Sequence, residues 1–133
     1  MSKLEQSTIH QEVLFNATPA QVYAALMESD RHAAFTGRPA QISGEVGGAF
    51  TAHEGYISGR NIELIPGTRI VQSWRGQDWE PGIHSIIRFE LKPEGTKTKV
   101  IFDHAGYPDG AGEHLTGGWQ KMYWEPMQKY FAK

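Results

Sequence analysis

RIVQSWRGQDWEPGIHSIIRFELKPEGTKTKVIFDH, residues 69–104, is the stretch of sequence that decides the fold. It holds three runs rich in Ile, Val, Phe, Trp and Thr, separated by turns that contain glycine or proline: Arg69–Arg75, His84–Leu91 and Lys97–His104. In the middle run Ile87, Phe89 and Leu91 alternate with Arg88 and Glu90. This period of two predicts antiparallel strands with one buried face and one solvated face.

The same pattern continues toward the N-terminus. Short apolar runs bounded by glycine predict strands at Ala49–His53 and Asn61–Ile65, and residues 8–16 form a further opening strand. Pro66-Gly67 and Glu94-Gly95 predict hairpin turns, because glycine adopts the positive φ that such turns require. The sequence therefore predicts a curved antiparallel sheet of about six or seven strands.

Two short helices are predicted directly after the first strand. Thr18 has the side chain of an N-cap, and Pro19 follows at the first helical position, where its missing N–H costs nothing. Ser29 or Asp30 then caps a second helix, which we expect to end before Gly37.

The last segment, roughly 111–132, returns to a helical period, with Trp119 and Tyr123 on one face. Gly118 is interpreted as a site where the helix approaches the sheet closely. Pro126 predicts a kink or a break, because proline removes a helical hydrogen bond and clashes with the preceding turn. We expect this long C-terminal helix to cover the sheet, which makes the chain an α+β protein.

Composition restricts the class of protein. Hydrophobic residues are 39% of the 133 and charged residues 21%, so we expect one folded domain over residues 1–133. The absence of cysteine excludes disulfides, thiolate metal sites and thiol nucleophiles. A net charge of −2 and the lack of a long apolar run predict a cytoplasmic protein that neither binds nucleic acid nor inserts into membranes.

A straight helix laid across a concave sheet predicts a hollow between the two, bordered by aromatic side chains. For each residue of this predicted wall the alternative is ordinary core packing. The wall residues are Phe35, Phe50, Trp74, Ile87, Phe89, Phe102, His104, Trp119 and Tyr123. We therefore expect the protein to bind a small apolar or aromatic molecule without catalysing a reaction.

The sequence holds few groups that could support catalysis. The six histidines show no spacing typical of metal ligands, and we predict no metal and no cofactor. An enzyme of the aromatase, cyclase or hydrolase type would need a polar group in the hollow, for which His104, Tyr123 and Glu54 are the candidates. Trp79 either forms a lid over the hollow or rests on the last helix.

Several motifs together resemble one known family. They cover nearly the whole chain, in order: Thr18–Tyr23, Gly47–Phe50, Gly55–Leu64, Pro66–Arg75, Gly95–Val100 and Gly118-Trp119. In these stretches the chain is similar to the activator-of-heat-shock-protein-90-ATPase homologues. That family belongs to the SRPBCC, or START-like, superfamily of helix-grip folds.

The resemblance implies a START/Bet v 1-like helix-grip fold with a cavity that in the wider superfamily holds lipids, hormones, polyketides or aromatic metabolites. It also implies a second function, that of a chaperone-linked partner that stimulates an ATPase. That role belongs to longer proteins with an additional N-terminal domain, and we expect this chain to lack that domain. An edge strand of such a sheet can pair two copies, so a homodimer is a further expectation.

Overall fold

The computed structural model describes residues 8–132, and the predicted domain bounds at 1 and 133 lie outside this range. In this part of the chain one antiparallel sheet has the strand order β1-β7-β6-β5-β4-β3-β2. The seven strands are β1 Thr8–Phe15, β2 Gln41–Ile42, β3 Ala49–Ala52, β4 Ile57–Ile65, β5 Arg69–Gly76, β6 Ser85–Glu94 and β7 Lys97–Ala105. The predicted antiparallel sheet is confirmed.

Within the described residues, four α-helices accompany the sheet: α1 Pro19–Met27, α2 Ser29–Thr36, α3 Gly112–Trp119 and α4 Glu125–Phe131. The start of α1 is fixed by a reciprocal cap, in which Gln21 N–H donates to Thr18 Oγ1 at 3.2 Å and Thr18 N–H donates to Gln21 Oε1 at 2.9 Å. Gly37 ends α2 with a φ of 77°. Both predicted short helices are confirmed, and no helix within residues 8–132 is long and apolar enough to cross a membrane.

The C-terminal helix runs from α3 to α4 through a π-helical turn, Gln120–Trp124. In this turn the Glu125 N–H bonds to the Gln120 carbonyl five residues back. Pro126, just inside α4, offers no N–H to the preceding turn, so a wider turn ahead of it avoids the clash. The break predicted near Pro126 is thus a π-helical turn, and the helix continues beyond it.

Most strand ends lie within three residues of the predicted ones, and the two larger differences are at β4 and β2. β4 begins at Ile57, four residues before the predicted Asn61, because Gly59 lies inside the strand and not in a turn. A Cβ at Gly59 would collide with the Ser73 carbonyl oxygen and the ring of Phe50, so glycine is needed for close approach. β2 has only two residues, too few for an alternating pattern to reveal it.

The buried face of the sheet meets the C-terminal helix. Along β6 the buried side chains are Ser85, Ile87, Phe89 and Leu91, as the alternation predicts. The hairpin turns are also confirmed, with a φ of 72° at Gly67. The sheet and the C-terminal helix contribute to one hydrophobic core, so a cavity for a ligand has to lie between or beside their buried side chains.

Candidate functional site

The centre of the molecule, where a hollow is predicted, is filled by aromatic rings. The ring centroids of Phe102 and Trp119 lie 4.4 Å apart, those of Trp119 and Tyr123 4.6 Å, and those of Phe89 and Phe102 5.1 Å. An inner cavity of about 20 Å³ remains. That volume holds one water molecule. The predicted hollow is therefore closed by the indole and phenyl groups that were expected to border it.

A larger space, the outer cleft, opens between α3, the π-helical turn and the ends of β4 and β5. Its volume is about 870 Å³, and most of its surface is apolar. The floor and walls are built mainly by Ile57, Trp74, Trp79, Leu115, Trp119, Met122 and Tyr123. Charged and polar groups also line it, namely Arg38, His53, Tyr56, Asp78, Glu113, His114 and Lys121.

The nine predicted wall residues divide into three groups. Those that line both the inner cavity and the outer cleft are Trp74, Trp119 and Tyr123. Those that line only the inner cavity are Phe50, Ile87 and Phe89. Those that are buried but line neither space are Phe35, Phe102 and His104. A ligand-binding role for these residues stays a prediction.

His104 is held in a closed chain of hydrogen bonds. Trp119 Nε1–H donates to His104 Nδ1 at 3.0 Å, so in the neutral ring the proton is on Nε2. That nitrogen lies 2.7 Å from Ser85 Oγ, whose hydroxyl donates to the Trp74 carbonyl at 2.8 Å. Burial lowers the pKa of His104 to about 3. His104 Nε2 carries a proton and therefore cannot accept the one on Ser85. These hydrogen bonds connect β5, β6 and β7 to α3.

The other two candidates for catalysis lie in different surroundings. Burial raises the pKa of the Tyr123 hydroxyl, which keeps that group protonated. The Glu54 carboxylate is exposed and lies 3.7 Å from Arg38 Nη1. An enzymatic role for these two residues or for His104 stays a prediction.

A cluster of His32, His53, Phe35 and Tyr123 lies behind one end of the outer cleft. His32 Nε2 lies 2.9 Å from Tyr123 Oη, and the His53 and Tyr123 ring centroids are 5.5 Å apart. Burial lowers the pKa of His32 to about 4, with a smaller effect from His53. The Nδ1 atoms of His32 and His53 are buried without a hydrogen-bond partner among residues 8–132. Unpaired buried polar atoms are uncommon and call for an explanation.

The turn between β3 and β4 has an unusual backbone at this end of the cleft. His53 and Glu54 have φ values of 52° and 59°, and Gly55 follows with 88°. Two successive non-glycine residues with positive φ are uncommon, and such conformations concentrate at functional sites. The turn places the His53 ring on the cleft wall.

Trp79 lies at the rim of the cleft and packs edge-on against Trp74, with ring centroids 5.6 Å apart. The loop that carries it is held by Arg75, which donates to the carbonyls of Trp79, Glu80 and Ile83. The sequence leaves two expectations for Trp79, a lid over the hollow or a position resting on the last helix, and Trp79 lines the cleft together with residues of that helix. A lid function stays a prediction.

Gly117 and Gly118 border open space. A Cβ built at either residue meets no atom within 4 Å, so the predicted close approach at Gly118 is wrong. Both residues line the cleft, together with Leu115 and Met122. The spacing of Leu115, Gly118 and Met122 on one helix face was visible in the sequence. The position of His53 was not, because it depends on an irregular turn.

A curved antiparallel sheet that holds one long C-terminal helix, with two short helices after the first strand, defines a helix-grip protein. A family model described as "Activator of Hsp90 ATPase homolog 1-like protein" matches residues 16–132. The chain belongs to this family, as its motifs predict.

The chain is also similar to individual proteins. It is 28% identical to the human activator of 90 kDa heat shock protein ATPase homolog 1 over 118 residues, which are 89% of this chain and 35% of the human protein. The chain thus spans about a third of the length of the curated relatives it matches. An HSP90 activator from Plasmodium falciparum has a similar structure, with a TM-score of 0.90, 20% identity and coverage of 95% of this chain and 96% of that one. The Aha1 dimer from Colwellia psychrerythraea is similar at a TM-score of 0.79 and 20% identity, over 93% of this chain and 96% of that one.

Proposed function

We propose that the protein binds a small, largely apolar molecule in the outer cleft. The observation that carries the proposal is the size and lining of that cleft. Its volume of about 870 Å³ falls within the roughly 300–1,000 Å³ of small-molecule pockets. The inner cavity, at about 20 Å³, is too small for any ligand larger than water.

The lining supports a flat ligand. Trp79 presents part of its rigid indole to the cleft, and Trp74 and Trp119, which are only 6% and 3% exposed, form the apolar floor beside it. Trp74 and Trp119 are held in place, since their rings lie 5.6 Å apart and Trp119 is hydrogen-bonded to His104. A preorganised wall of this kind reduces the entropic cost of binding.

Binding can be measured with 1-pyrenebutanol, a neutral fluorescent compound that accepts excitation energy from tryptophan. We expect saturable energy transfer that is abolished when Met122→Asp places a carboxylate on the exposed apolar wall. Ile62→Asp, an exposed apolar residue of β4 outside the cleft, is the matched control and should bind normally. Non-saturable transfer, or equal loss in both variants, would count against the proposal.

A second function, stimulation of a chaperone ATPase, is supported by the family and by the names of the relatives. Because the chain spans about a third of those relatives, their activity is only a proposal here. The test is the ATPase rate of the heat-shock-protein-90 homologue from the same organism, with and without this protein. Stimulation that persists in Met122→Asp would assign the chaperone contact to a surface other than the cleft.

A further inference from the structure

The end of the outer cleft at Arg38 and His53 has an excess of hydrogen-bond donors. The Arg38 guanidinium makes no hydrogen bond to the described part of the chain, and the 3.7 Å pair with Glu54 is its one ionic contact there. Its several N–H groups all remain available to a ligand. We call Arg38, His53, His32 and Tyr123 together the donor corner.

His53 adds a second polar group to this end of the cleft. Its ring lines the cleft, and its Nδ1 is buried without a partner among the described residues. Buried N–H groups without an acceptor are rare, so we assign the proton of the neutral ring to Nε2. Burial and the nearby Arg38 charge lower the pKa of His53, which agrees with a cationic environment at this end.

Behind His53, the pair of His32 and Tyr123 is also short of an acceptor. If Tyr123 O–H donates to His32 Nε2, the buried His32 Nδ1 carries a proton with no partner. If His32 Nε2–H donates to Tyr123 Oη, the hydroxyl proton has none. Either assignment leaves one donor unsatisfied among the described residues.

The acidic groups of the cleft do not neutralise this corner. Asp78 accepts a hydrogen bond from Tyr56 at 2.7 Å, and Glu113 lies in the first turn of α3. Glu54 approaches Arg38, but at 3.7 Å and with both side chains largely exposed. Such surface pairs contribute little. A carboxylate from a ligand can therefore take the place of Glu54.

Resting on the proposed function, we propose that the ligand is an amphipathic carboxylate: its flat apolar body lies along the tryptophans, and its carboxylate binds Arg38 and His53. A guanidinium matches a carboxylate with two parallel hydrogen bonds. Lys121 lines the same cleft without an ion pair among the described residues, which adds favourable charge.

The test compares 1-pyrenebutyrate with 1-pyrenebutanol, which share the same body and differ in the carboxylate. We expect the wild type to bind the carboxylate about tenfold more tightly. Arg38→Gln should remove this preference, so that the carboxylate binds no more tightly than the alcohol. Glu54→Gln should strengthen binding of the carboxylate by roughly threefold, because it removes the competing acid.

Arg31→Gln is the matched control, since Arg31 is as exposed as Arg38 and also pairs with one glutamate but lies outside the cleft. Equal affinities for the two probes in the wild type would overturn the inference and leave the proposed function standing. So would equal effects of Arg38→Gln and Arg31→Gln. Failure of both probes to bind would overturn the proposed function and the inference together.

Discussion

Gly118 offers the sharpest perturbation of the outer cleft, because it lies on the cleft wall and within the C-terminal helix at once. A Cβ at this residue meets no atom within 4 Å, so the side chain of Gly118→Leu starts into open space, and because Gly118 lines the cleft we expect it to occupy ligand space there. Leucine also removes the helix penalty of glycine, which is about 0.8 kcal/mol. We expect the free energy of unfolding to rise by about 0.5–1 kcal/mol and the melting temperature by roughly 2–4 °C.

Binding should change in the opposite direction to stability. A side chain that occupies ligand space causes overpacking worth about 1–3 kcal/mol, so we expect 1-pyrenebutanol to bind Gly118→Leu about tenfold more weakly. Thr116→Leu, at an exposed residue of α3 outside the cleft, is the control and should bind normally. Wild-type affinity in Gly118→Leu would place the ligand elsewhere, and a loss of stability would contradict the open space at Gly118.

Three further predictions concern stability, measured by urea unfolding. Ser85→Ala removes the hydroxyl that bonds to His104 Nε2–H and to the Trp74 carbonyl, and should lower the free energy of unfolding by about 2 kcal/mol. A decrease below about 0.5 kcal/mol would contradict these hydrogen bonds. Gly59→Ala should lower the free energy of unfolding by more than about 2 kcal/mol, because the new Cβ collides with Ser73 and Phe50. Gly117→Ala should raise it by about 1 kcal/mol, and effects of the same sign in the two variants would contradict this expectation. The folded pKa values of about 4 at His32 and about 3 at His104 lie below the ordinary 6.5, so the unfolded chain binds more protons than the folded one. The free energy of unfolding should therefore decrease as the pH falls from about 6.5 toward 4, by up to about 2–3 kcal/mol per pH unit. A flat pH profile that His32→Phe does not change would be inconsistent with buried neutral rings.

The fold could be predicted from local signals. The alternation of Ile87, Phe89 and Leu91 with charged residues identifies a half-buried strand without knowledge of its neighbours. Thr18 and Pro19 likewise specify a helix start through contacts within one turn. Such features depend on residues close in sequence, so the pattern alone determines them.

The site could be predicted only in part, because it depends on contacts between distant segments. The sequence identifies Trp74, Trp119 and Tyr123 as inward-facing, but whether their rings fill a hollow or border one depends on side-chain rotamers across the core. The need for glycine at residue 59 could not be predicted either, because it comes from the Ser73 carbonyl on the next strand. His53 reaches the cleft through two successive positive φ values, which no residue type in that turn indicates.

The indole N–H signals of the four tryptophans give the most direct test of ligand binding in the outer cleft. Trp74, Trp79 and Trp119 line that cleft, whereas Trp124 does not and donates to Gln11 Oε1 at 2.7 Å. In a titration of the ¹⁵N-labelled protein with 1-pyrenebutanol, we expect the first three signals to shift and the Trp124 signal to stay nearly unchanged. Absence of shifts, or equal shifts in all four signals, would show that the outer cleft is not where this molecule binds.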